Sequence, residues 1–133
     1  MITRIENEIH ELHQFFQDWY NNQLSPTDEN FARCANVLHS NFTIIFPIGD
    51  RMRRETLLEI LRNAHGSHTN IRIWIEHIQI LYQFGDLVLA TYEEWQEIDS
   101  QINSRLSTVL FQQAPTTPNG LRWLHVHETW MNT

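Results

Sequence analysis

The hydrophobic period of this 133-residue chain changes once, near Asn70, and that change limits what it can fold into. Before it, apolar residues recur at helical spacing. Ile5, Ile9, Leu12, Phe16 and Trp19 form one stripe of an amphipathic helix predicted over 2–23, with Thr3 and Glu6 placed for a capping box. Ser25-Pro26 reads as an N-cap with proline at the first helical position, so a second helix is predicted with Phe31, Cys34, Ala35 and Leu38 inward. A third runs from about Arg53 to His65, with Leu57, Leu58, Leu61 and Ala64 inward and Gly66 placed for a left-handed end. Between the second and third helices, Phe42–Phe46 is a β-branched and aromatic run that reads as a short strand. After Asn70 the pattern alternates through Ile71, Ile73 and Ile75. Long strands are predicted over 71–81, 87–98, 102–112 and 121–131, separated by Gln83–Asp86, Asp99-Ser100 and a loop containing Pro115, Pro118 and Asn119-Gly120. Helices first, then strands on short turns, give an α+β layout with an antiparallel, meander-like sheet, in one domain spanning 1–133.

Both faces of these strands are partly apolar. In the last one, Leu121, Trp123, His125, His127 and Thr129 alternate with Arg122, Leu124, Val126, Glu128 and Trp130. Helices can cover only one face. A second copy of the chain is the simplest cover for the other, so a homodimer through the outer sheet face is expected.

Composition narrows the chemistry. Nine basic against sixteen acidic residues give a formal charge of −7, which argues against a nucleic-acid or anionic-membrane partner. All nine basic residues are arginine, so lysine nucleophiles and Schiff bases are excluded. One cysteine, Cys34, excludes an internal disulfide framework. Met1–Glu11 lacks the apolar core of a secretory signal and no window is a candidate membrane span, so a cytoplasmic location is expected. Neither a G-x-S-x-G elbow nor a phosphate-cradling glycine loop is present.

The order helix, helix, short strand, helix, long antiparallel strands is similar to that of the nuclear transport factor 2-like superfamily. Ketosteroid isomerase, scytalone dehydratase, SnoaL-like cyclases and the calmodulin-dependent kinase association domain share it. Trp123–Thr129 resembles the last strand of the association-domain and SnoaL-like branches, and Leu38–Ile44 resembles the entry to their first strand. The resemblance implies a cystatin-like α+β roll: a cone-shaped, curved, mixed or antiparallel sheet packed by three N-terminal helices, with a pocket between them and usually a dimer. Members include enzymes, assembly modules and binding proteins, so the fold leaves the function open.

Several constellations could carry chemistry. Glu93 with His127 would place a desolvated carboxylate beside an imidazole, a general base and an acid or orienter, with His125, Trp95, Tyr20, Thr108 and Phe46 lining the ligand space. Alternatively, Glu93 pairs with an arginine such as Arg105. His125 and His127 share a face and could approach one ion, but they need a third ligand from Glu93 or His77 and have no evident set of them; no metal and no cofactor are expected. Arg51-Met52-Arg53-Arg54 reads either as an anion clamp at the pocket mouth or as a solvated run balanced by Asp50 and Glu55. The expected function is binding of a small molecule in an enclosed, largely apolar pocket. The alternative is SnoaL-like or ketosteroid-isomerase-like proton transfer on a small carbonyl compound.

Overall fold

A computed structural model describes residues 1–132. The helices are α1 (Ile2–Tyr20), α2 (Asp28–Ala35) and α3 (Arg54–Asn63). The strands are β1 (Leu38–Ile45), β2 (Arg51–Arg53), β3 (Arg72–Phe84), β4 (Leu87–Ile98), β5 (Gln101–Gln113) and β6 (Leu121–Trp130). The α1 stripe behaves as its spacing predicts: Ile5, Ile9, Leu12 and Trp19 are buried. Its expected capping box does not form, because Met1 is the N-cap and no side chain caps it. For α2 the cap is Thr27, two residues beyond Ser25; its Oγ1 accepts the Asn30 N–H at 3.2 Å. Gly66 takes φ +70°, the left-handed conformation expected after α3.

The sheet runs β2-β1-β6-β5-β4-β3 and does not close. It is mixed rather than a pure meander. From β1 the chain turns back through β2, passes through α3 to the far edge, and returns by β3, β4, β5 and β6. That path sets β6 beside β1, and the two run parallel. All other neighbours are antiparallel. Strand β2 escapes the sequence reading because it is three residues long and mostly arginine. It pairs with Thr43–Ile45 across a turn in which Gly49 holds φ +96°, a conformation glycine adopts without strain.

Two faces result. The inner face, under the helices, carries Val88, Ala90, Tyr92 and Glu94 from β4, with Ser107, Val109 and Phe111 from β5. On β6 the inward residues change parity. Leu110 of β5 faces His125, yet Phe111 faces Trp123, leaving Leu124 as an extra residue. Leu121 and Trp123 point inward before this bulge, and Val126 and Glu128 after it.

One buried carboxylate ties the layers together. Glu8 of α1 is 0% exposed. It accepts hydrogen bonds from both Nη atoms of Arg33 (2.9 and 3.3 Å), from Asn119 Nδ2 (3.0 Å) and from Trp123 Nε1 (2.8 Å). The carboxylate thus has four donors from α2, the β5–β6 loop and β6, which offsets its desolvation. Among the described residues, no helix is long and apolar enough to cross a membrane.

Candidate functional site

Between α1, α3 and the inner sheet face lies a cavity of about 200 Å³. Most of its wall is aliphatic and aromatic, with Leu12, Phe16, Phe42, Ile44, Leu57 and Val126 prominent. One end is polar: His13 from α1, Glu94 and Gln96 from β4, Arg105 from β5 and Glu128 from β6. Helix spacing puts His13 there, because it follows Ile9 by four residues and precedes Phe16 by three on the buried stripe. Strand pairing assembles the rest: Glu94 is opposite Arg105, and Ser107, two residues along β5, is opposite Glu128.

The hydrogen bonds define the charge states. His13 Nδ1 lies 2.7 Å from the Ile9 carbonyl oxygen, which can only accept, so Nδ1 carries a proton. Its Nε2 lies 3.2 Å from Glu94 Oε1, and Gln96 Nε2 donates to Glu94 Oε2 at 2.6 Å. Burial opposes charge on both partners, but their attraction and hydrogen bond outweigh it. Glu94 is held down at about 2, with Arg105 and Gln96 contributing. The His13 imidazole is raised, with help from the Ile9 carbonyl and Glu128. This is an imidazolium–carboxylate pair enclosed in protein.

Glu128 is the opposite case. Burial, then the negative charge of Glu94, pushes its carboxyl up to about 7, and Arg105 only partly opposes them. The Arg105 guanidinium is loosely held. Its Nη1 is 3.4 Å from Glu128 Oε1, its Nη2 is 3.5 Å from Asn103 Oδ1, and its buried Nε has no partner among the described residues. Trp130 lies across it, with the guanidinium carbon 4.8 Å from the ring centroid. The polar end thus offers one locked ion pair, one carboxyl that exchanges its proton near neutrality, and one cation with unused donors.

The structure separates the residues singled out from sequence. Tyr20 and Phe46 line the cavity. Glu93, Trp95, Thr108, His125 and His127 belong to the outer face, away from it. Glu93 and His127 therefore share a face, as expected, but not the face of the cavity. Two causes account for this. Strand β4 is apolar on both sides, so Leu89 and Trp95 mimic an inner row as well as Ala90 and Tyr92 do. On β6, the bulge at Leu124 moves His125 and His127 out of phase with Trp123. Glu93 pairs with His77, Nδ1 to Oε2 at 3.0 Å, and accepts Trp95 Nε1 at 3.1 Å. Arg105, suggested as its partner, faces Glu128. His125 Nδ1 is 2.7 Å from Thr43 Oγ1. Sequence reasoning missed His13, Glu94 and Glu128; the signal available was their alignment with Ile9, Tyr92 and Val126. Among the described residues, no cluster of three His, Cys, Asp or Glu side chains could hold a metal ion.

Comparison with known proteins adds the lineage. Residues 5–132 match the family described as sucrose-6-phosphate phosphohydrolase C-terminal. Sucrose-phosphatase 1 of Nicotiana tabacum is 25% identical over 127 residues, 93% of this chain but 30% of that protein. The chain thus spans less than a third of the length of the relative it matches. An NTF2-like protein of unknown function from Pseudomonas aeruginosa has the same fold, with TM-score 0.87, 24% identity, and coverage of 97% of this chain and 99% of that one. The CaMKII hub of S. rosetta also shares it, with TM-score 0.64, 13% identity, and coverage of 84% and 92%. With a nuclear transport factor 2-like fold and a family match along nearly its whole length, the chain belongs to the sucrose-6-phosphate phosphohydrolase C-terminal family.

Proposed function

We propose that this domain binds a small, mostly apolar molecule whose polar head, a carbonyl or carboxylate, reaches Arg105 and Glu128. The observation that carries this reading is Arg105: a guanidinium with an unpartnered buried Nε, at the polar end of an apolar cavity. Such a group gains most from a ligand oxygen. Its relatives are named for dephosphorylating a sugar phosphate. This cavity suits that substrate poorly, because its largely apolar walls would strip water from the sugar hydroxyls without replacing their hydrogen bonds. In a longer protein the domain's role would then be binding and assembly rather than phosphoryl transfer. Assembly would use the outer face as a homodimer contact, where the Trp74 and Trp95 rings stack and Leu106 is exposed.

Glu128 favours a second reading. A carboxyl held at about 7 can take and return a proton at neutral pH, as an isomerase or dehydratase acting on a carbonyl compound requires. One experiment addresses both readings. Protein purified from cells is denatured and the released small molecules are identified by mass spectrometry, for the wild type, Val126→Phe and Glu128→Gln. Binding predicts a molecule from the wild type and none from Val126→Phe, whose added ring fills the cavity. Proton transfer further predicts that Glu128→Gln retains a different, unconverted molecule. No molecule from the wild type, together with an empty cavity in its crystals, would end both readings.

A further inference from the structure

The arginine run Arg51–Arg54 divides in the structure. Arg54 turns toward the helices, where Nη2 donates to the Ala35 carbonyl at 2.9 Å and Nε to the Leu38 carbonyl at 3.1 Å. Arg51 and Arg53 stay on β2, separated by Met52, which packs against the core. Strand alternation puts both on the outer face, roughly 6.6 Å apart along the strand.

These two arginines are unlike the others. Arg4, Arg33, Arg54, Arg62, Arg72, Arg105 and Arg122 each donate to a carboxylate, amide or carbonyl oxygen. Among the nine arginines, Arg51 and Arg53 alone have no hydrogen-bond or ion-pair partner among the described residues. Asp50 and Glu55 are close in sequence, but neither forms an ion pair with them; Glu55 approaches Arg54 instead, at 3.9 Å. In a chain with a formal charge of −7, the two unengaged cations stand side by side. Like charges so placed repel, and among the described residues no carboxylate forms an ion pair with either arginine.

Their surroundings add donors. Arg53 is opposite Thr43 and Arg51 is opposite Ile45, while Thr43 also pairs with His125 of β6. Together Thr43, Arg51, Arg53 and His125 line a groove of about 410 Å³. The Thr43 Oγ1–His125 Nδ1 bond uses one of the pair's two mobile hydrogens when the imidazole is neutral. If the hydroxyl donates, His125 Nε2 keeps a hydrogen; if the imidazole donates, the hydroxyl does. Either tautomer leaves one donor for a guest beside two guanidinium forks.

We propose that this groove is an anion site for a phosphate group, inorganic or esterified, held by Arg51 and Arg53 with a further hydrogen bond from Thr43 or His125. Guanidinium forks match the geometry of tetrahedral oxyanions, and a dianion neutralises both charges. The groove opens on the opposite side of the sheet from the polar end of the cavity.

Isothermal titration with inorganic phosphate and, separately, glucose 6-phosphate tests this at physiological chloride. The proteins are the wild type, Arg51→Gln/Arg53→Gln and Arg72→Gln, whose exposed arginine is already paired with Glu97 at 2.9 Å. The expected result is saturable binding to the wild type, loss of at least about tenfold in affinity in the double variant, and no change in Arg72→Gln. Tighter binding of glucose 6-phosphate identifies an ester site; equal affinity identifies a site for the phosphate group alone. Circular dichroism checks that the double variant is folded, and Arg51→Lys/Arg53→Lys, which keeps the charge, should bind at intermediate strength. Equal affinity in the wild type and a folded double variant, or no saturable binding to the wild type, overturns the proposal.

Discussion

Two histidine–glutamate pairs sit on opposite faces of β4, and their glutamates are neighbours in sequence. His13 meets Glu94 at 3.2 Å and His77 meets Glu93 at 3.0 Å. By distance the outer pair is the closer. Side-chain exposure is 5% and 9% in the inner pair but 72% and 17% in the outer one. Water replaces whatever the outer pair loses, so its bond is worth little and weakens with salt. Inside, each charge has lost its hydration and depends on the other. The same two side chains make a structural commitment on one face and a surface detail on the other.

Removing one inner partner should have the largest effect. His13→Ala leaves Glu94 buried with Gln96 as its remaining donor, and should lower the unfolding free energy in urea by about 3–5 kcal/mol. The double variant His13→Leu/Glu94→Leu removes both charges and should recover most of that loss. If the double variant is as unstable as the single one, packing rather than the unpaired charge explains the effect.

A smaller effect should appear in the pH dependence. Glu128 is raised from 4.5 to about 7, so its contribution to stability is complete below about pH 4.5 and is lost as pH rises through about 7. His13 is also raised and acts in the same direction, losing its contribution as pH rises beyond 6.5. Glu94 is lowered to about 2 and acts oppositely, losing its contribution as pH falls below 4.5. The melting temperature should therefore peak at about pH 4.5 and decline above it, more steeply once His13 joins beyond pH 6.5. Glu128→Gln should flatten the decline on the alkaline side of the peak, and an unchanged profile would assign that decline elsewhere.

The smallest effect belongs to the outer pair. His77 is raised by the hydrogen bond it donates to Glu93 and then by that residue's charge, but it is exposed to solvent. Glu93→Gln should shift the melting temperature slightly at low salt and not at high salt. A large shift that persists at high salt would mean that the outer face is covered in solution, as a homodimer would cover it.

The comparison also explains what could be read from sequence. Helix α1 was legible because a helix stripe has one apolar side, and β4 was legible as an element because its bounds are turns. Which side of β4 faces inward was not. Ala90 and Tyr92 on one row and Leu89 and Trp95 on the other are equally apolar, and only the docked helices distinguish them. On β6 the alternation is interrupted at Leu124, so no single parity describes the strand. His13 lies in plain view on the α1 stripe, but a histidine among apolar residues acquires meaning only when a carboxylate 81 positions later is brought against it.

Glu8 has a consequence for the order in which the molecule is built. Its donors are Arg33, early in the chain, and Asn119 and Trp123, near its far end. A nascent chain emerging from the ribosome can form α1 at once, yet the helix cannot be locked in place until the last strand has been synthesised. Until then its carboxylate stays hydrated and the sheet lacks the strand that joins β1 to β5. Closure over so long a separation is slow and cooperative, and it makes the C-terminal segment the step that commits the whole domain.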